Sequence, residues 1–394
     1  MAKKINQKLK KILLDRQVKA LRDPADVLCG NYYQSGLASE SLSYKADESF
    51  IILLKKLNIT LFVTREYEHL VIALSPQKGK FLQSFVHLPH PSGLVTDKKS
   101  GATYIATTRN PNQVFEFRPL KTLADRRDRK LPKKIQAFLM PTRSKFLCGS
   151  TYLHDMALIN GKLYANSVGQ NGIIKVELGR VETDEPVWWP RCIINKGRQP
   201  HSQQNYIQLN SIASGSTLER SFFSASSDCV SSRRPGHLNY PVNKCGVIFD
   251  GHGEVIARGL TRPHSARIAA GRLWVANSGY GEFGYIEKGR FISVVSLPGW
   301  TRGLSIINDI AFIGVSRVIP KYKRYAPGLA NQDICGVYAF DVKKAKILGS
   351  ISWPYGNQIF AIDWLSSRLT PGFIFEQVKE LNERSRDIFY SYRT

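Results

Sequence analysis

Residues 262–306, RPHSARIAAGRLWVANSGYGEFGYIEKGRFISVVSLPGWTRGLSI, contain four short runs of alternating apolar residues, after which the same phrase begins again. Each run is bounded by Gly, Asn or Lys-Gly, the pattern of hairpins in an antiparallel sheet. The phrase is a polar residue, a small apolar-rich strand, a turn, and a second strand ending in Asn, Ser or Arg. It recurs from His90, His154, Asn210, His264, Arg302 and Gln358, at steps of 64, 56, 54, 38 and 56 residues. Blades of a β-propeller repeat every ~40–50 residues, and the longer steps here carry visible insertions. Six restarts predict an all-β, six-bladed β-propeller.

The count also predicts how the ring closes. One strand, IFAIDWL, follows Gln358, and three strands, ITLFVTR, HLVIALS and FLQSFVHL, precede His90. Together they form one blade from both ends of the chain, which leaves no open edge. The expected layout is a basic N-terminal helix and lead-in (1–48), the propeller (49–366) and a C-terminal helical tail (367–394). Within the first segment, residues 1–21 read as a helix in which Ile5, Leu9, Ile12 and Leu13 share a face that docks on its own domain or lies on an anionic membrane surface.

The segments LHDMA, LNSIA, RPHS followed by GRLWVANSG, and GWTRGLS resemble an uncharacterised bacterial family of predicted six-bladed propellers, over residues 45–365. A more distant similarity is to gluconolactonase and strictosidine-synthase-like propellers. That resemblance implies a metal or catalytic group at the mouth of the central channel. The lactonase ligand set of one Glu, two Asn and one Asp is not reproduced here residue by residue.

Composition limits the function. The 394 residues carry a formal charge of +25, with 43% hydrophobic and 11% aromatic residues, enough for a packed core and consistent with an anionic partner. The basic stretch 119–147 reads as a loop with a short helix. It lacks the stacked aromatics or groove helix of a nucleic-acid reader, so nucleic acid is not the expected partner. Six cysteines, at 29, 148, 192, 229, 245 and 335, show no CxxC spacing. They read as reduced thiols, a Cys229–Cys245 bridge being the alternative. Without a run of ~18 apolar residues or a signal-peptide core, the expected location is cytoplasmic. Gly279–Gly284 matches GxGxxG but joins two strands, and no P-loop, GxSxG or HExxH occurs.

Strand order places every restart at one end of the channel, the top. Two top turns are enlarged, Asp228–Lys244 and Arg317–Asp333, bringing Arg233, Arg234, His237, Lys321, Lys323, Arg324 and Tyr325 over the mouth. His154, Asp155, His264 and Arg302 are the expected catalytic groups. Arg109, Asn166, Asn210, Asn277, Arg317, Arg324, Tyr325 and Gln358 are the expected substrate contacts. Imidazoles converging from separate blades suit a divalent metal ion, with His90, His154 and His264 as ligands. The alternative for these residues is structural, as strand-end caps and water binders. The chemistry points to a hydrolase or a lyase/isomerase acting on an anionic small molecule or sugar-derived metabolite. A non-catalytic propeller binding an anionic ligand, glycan or partner protein is the second reading. A basic nucleic-acid or membrane-surface protein is the third.

Overall fold

The computed structural model describes residues 39–109, 112–124, 127, 137–180, 185–195, 199–202, 204–233, 235, 240–329, 333–374 and 388–391. The expected helix at 1–21 lies outside them, as do Arg234, His237 and most of the tail helix. Six antiparallel sheets form a six-bladed propeller. Blade 1 orders Ile362–Ser366 innermost, then Ile59–Arg65, Leu70–Gln77 and Lys80–His87. The inner strands of blades 2 to 6 are Pro91–Thr96, Leu153–Ile159, Leu209–Ala213, Pro263–Ala269 and Trp300–Ile307.

Local chemistry sets the hairpins. Lys78-Gly79, Asn160-Gly161, Ala270-Gly271 and Lys288-Gly289 all have positive φ at both residues. That is the two-residue turn whose twist matches paired strands. Of the stretch 119–147, expected as a loop with a short helix, residues 119–120 and 138–147 are instead strand, since Asn112–Leu120 pairs with Phe138–Leu147; residues 125–126 and 128–136 lie outside the described ones. One helix, α1 (Glu48–Leu57), was not separable in sequence from the strands that follow. It buries Phe50 and Leu54, and Phe50 meets Phe81 and Phe312 edge-on. Just before it, Lys45–Ala46 pairs with Lys346–Ser352 and covers the outer edge of blade 6. From the tail, Phe373 is fully buried against Phe62 and Phe117.

Register within the blades places the site. In five blades the ladder slips near the top of the inner strand, after Pro91, Leu153, Leu209, His264 and Thr301. Such bulges re-aim neighbouring side chains. Aligned on the slip, with blade 1 aligned through Ile362 opposite Val63, the inner strands present two rings. The rim ring is His90, Tyr152, Gln208, Arg262, Trp300 and Gln358. The floor ring is Ser92, His154, Asn210, His264, Arg302 and Phe360. The six restarts seen in sequence therefore mix two levels, since His90 and Gln358 belong to the rim.

Side chains lock each blade to the next. Ser92 Oγ, Asn166 Nδ2, Asn210 Nδ2, Ser278 Oγ and Ser316 Oγ donate to the carbonyls of Leu153, Leu209, Pro263, Thr301 and Ile359. Thr64 Oγ1 donates to Ser92 O at 2.8 Å across the remaining junction. Buried carbonyls are thereby satisfied and the rings held in fixed phase.

Candidate functional site at the top mouth

The two rings and the top turns enclose a cleft of about 190 Å³. Of the expected residues, Arg109, His154, His264, Arg302, Arg317, Tyr325 and Gln358 line it. Glu66, Tyr67, Gln208, Arg262, Trp300, Asn357 and Phe360 also line it and were missed. Four guanidiniums thus face one carboxylate, that of Glu66.

Arg302 sits at the centre. It is 7% exposed, its guanidinium carbon lies 3.2 Å from the centre of the Phe360 ring, and Nη2 has no hydrogen-bond partner among the described residues. Burial draws its pKa down to about 9 against the attraction of Glu66, so it remains a cation at neutral pH. On the next blade, Arg262 donates to Gln208 Oε1 and lies 4.3 Å from the Tyr325 ring centre. Arg109 pairs with Glu66 at 2.9 Å, and Arg317 with Asp333 at 2.9 Å.

Glu66 comes from the tight turn Glu66–Glu68 between the second and third strands of blade 1, ended by His69 at φ 54°. Burial opposes its charge, but Arg109, a hydrogen bond from His90 and Arg302 outweigh burial and hold it well below the usual carboxylate range. His90 stands behind Glu66 with Nδ1 3.5 Å from Oε1, and its backbone N–H donates to His69 Nδ1. Burial first, and then the His90 charge, push His69 down to about 3.

Both floor imidazoles are neutral at pH 7. Burial and then Arg302 hold His154 and His264 well below 6.5. His264 Nδ1 lies 2.7 Å from Arg262 O, which can only accept, so Nδ1 carries the proton and Nε2 is a lone-pair base. His154 packs edge-on against Phe360.

The remaining expected residues do other work. Asp155 is adjacent to His154 but faces the opposite end of the channel. There it takes a two-pronged contact from Arg267 at 2.8 and 3.1 Å and bonds to the N–H groups of Ile212 and Met156. Asn166 accepts from the N–H groups of His154 and Asp155, and Asn277 from that of Thr261. Asn210 ties blade 4 to blade 5. Arg324 lies behind Tyr325, bonded to its hydroxyl. Of the three expected metal ligands, His154 and His264 line the cleft, whereas His90 stands behind Glu66. Among the described residues no three His, Cys, Asp or Glu side chains are gathered to hold a metal ion.

The sequence model described as a domain of unknown function, DUF4915, matches residues 48–374. The chain belongs to the DUF4915 family. A search of curated protein sequences finds no match. Among solved structures, this DUF4915 propeller is similar to a chain of a nidogen/laminin complex, with TM-score 0.50 and 9% identity. That alignment covers 78% of this chain and 98% of the other. A gluconolactonase from Xanthomonas campestris aligns at TM-score 0.43 and 11% identity, over 76% and 86% of the two chains. Virginiamycin B lyase from Staphylococcus aureus aligns at 0.37 and 12%, over 64% and 73%. The first likeness concerns the fold alone. No helix among the described DUF4915 residues is long and apolar enough to cross a membrane.

Proposed function

We propose that this protein takes an anionic small molecule into the top cleft and acts on it as a hydrolase or lyase/isomerase. The observation that carries the reading is Arg302, a buried guanidinium whose Nη2 lacks a hydrogen-bond partner among the described residues, in a mouth lined by three further arginines. A buried cation left so is costly, and a bound anion supplies the missing charge and acceptor. In this reading Arg302 anchors and polarises the anion while His264 Nε2 accepts a proton. Tyr67 and Trp300 shape the walls around it.

A second reading, a non-catalytic receptor for the same anion, is favoured by the position of Asp155. Its carboxylate is committed to Arg267, so it gives His154 no acidic partner in the cleft. One experiment separates the two. Hydroxy acids, sugar acids and phosphate esters are screened for binding by calorimetry and for turnover by NMR. His264→Gln should retain affinity within a few-fold and lose turnover by ~100-fold or more. Binding without turnover in the unaltered protein supports the receptor. Unchanged binding in a folded Arg302→Gln variant would exclude both.

A further inference from the structure

Hydrogen-bonding capacity on the cleft floor bears on which anion fits there, a step that rests on the anion reading above. Most of the guanidiniums are already engaged. Arg109 pairs with Glu66 and Arg317 with Asp333, and Arg262 Nη1 donates to Gln208 Oε1 and Ser226 Oγ. Arg302 is the exception, since no described residue accepts from its Nη2. One such buried cation calls for one negative charge. Beside it stands an acceptor without a donor. His264 is 2% exposed, and its Nδ1 lies against Arg262 O and Ser278 Oγ. The Ser278 hydroxyl gives its own proton to Thr301 O, so Nδ1 must carry the imidazole proton. Nε2 is then a lone pair to which no described residue donates. Both side chains line the cleft from adjacent blades, and the residues that follow them touch, Gly303 N–H donating to Ser265 Oγ at 2.9 Å. A plain carboxylate, a sulfate or a phosphate dianion offers acceptor oxygens only and would leave Nε2 bare.

We propose that the cleft recognises a hydroxycarboxylate, a monoanion whose carboxylate lies on Arg302 and whose neighbouring hydroxyl donates to His264 Nε2. A site built around a hydroxyl discriminates against the analogue without one, because its own polar group is then left unpaired. The apolar wall of Trp300, Val318 and Ile319 receives the rest of the molecule.

Three aryl acids of similar size test this by calorimetry at pH 7.5. Mandelate has a hydroxyl beside its carboxylate, phenylglyoxylate has a carbonyl there, and phenylacetate has neither. Mandelate is expected to bind at least ~10-fold tighter than the other two, which is one well-made hydrogen bond. In His264→Phe the ratio of mandelate to phenylacetate affinity should fall to within about two-fold of unity, and His264→Gln, which keeps an acceptor, should recover part of it. In the unaltered protein the nitrogen NMR signal of His264 Nε2 should shift toward its protonated position with mandelate and stay in place with phenylacetate. Equal affinities for all three acids, a ratio unchanged in a folded His264→Phe variant, or an Nε2 signal indifferent to mandelate overturns the hydroxycarboxylate assignment and leaves the anion reading standing. Binding of phenyl phosphate but of none of the three acids does the same. Binding of none of the four overturns both.

Discussion

The two ends of the channel are built from the same six strands, yet they treat charge in opposite ways. At the bottom, a cavity of about 280 Å³ is lined by Lys98, Arg267 and Asp363 among apolar side chains. Each of these ions has a partner. Asp363 accepts from Thr96, Lys98 and Ser305, and Lys98 also lies 4.4 Å from the centre of the Trp364 ring. Arg267 grips Asp155 with two nitrogens. At the top, Arg109 pairs with Glu66 and Arg317 with Asp333, while the central Arg302 has a nitrogen with no hydrogen-bond partner among the described residues. Matched buried ions fix a structure, whereas a surplus of one sign raises its energy until something else arrives. The bottom is therefore closed by matched charge, whereas the top keeps cations in excess.

The largest test of this contrast is Asp155→Ala. It removes the carboxylate that Arg267 grips with two nitrogens and should cost about 3–5 kcal/mol, read as a lower urea midpoint. A loss below ~1 kcal/mol would mean that the bottom pair does not hold that end closed.

Acid should weaken the molecule through the top end. His69 titrates at about 3 in the folded chain against 6.5 ordinarily. Below 6.5 the unfolded chain therefore takes up this proton first. The contribution is intact above pH 6.5 and declines as pH falls toward 3, by about 1.4 kcal/mol per pH unit. His154 and His264 shift in the same direction. Urea titrations between pH 7 and 5 should show this slope, and His69→Gln should flatten it by one proton.

The smallest effect has the opposite sign. Arg302→Met removes a buried cation and should change stability by no more than about 1 kcal/mol, in the stabilising direction, while abolishing anion binding. A marked loss of stability would show that Arg302 is a structural member of the Glu66 cluster and would erase the contrast.

The blade count was legible because each blade restarts with the same hairpin, and hairpin signals are local. Four lining residues, His154, His264, Arg302 and Gln358, were legible because strand order sends the restarts to one mouth, and Arg109, Arg317 and Tyr325 because the next turns return there. The two ring levels were not, since the bulge that separates them has no shared chemistry: Gly93, Asp155, Ser211, Ser265, Gly303 and Ala361 follow the floor residues. Asp155 was read as a partner of His154 because the two are neighbours in sequence. Successive strand residues face opposite ways, and Arg267, which claims Asp155, lies 112 positions along the chain. Glu66 was missed because its turn precedes the first restart. The signal was there in Arg65-Glu66-Tyr67-Glu68-His69, a charged cluster between two apolar strands.

Four rim residues, His90, Tyr152, Gln208 and Arg262, have φ between 43° and 53°. A side chain at those positions bears a backbone penalty of about 1–2 kcal/mol, less for Asn or Asp and more for a β-branched residue. Among unbranched side chains the ladder below is therefore nearly indifferent to which one stands there. Descendants of such a gene can exchange the rim one letter at a time and change what enters the mouth, while the ring inherits its shape unaltered.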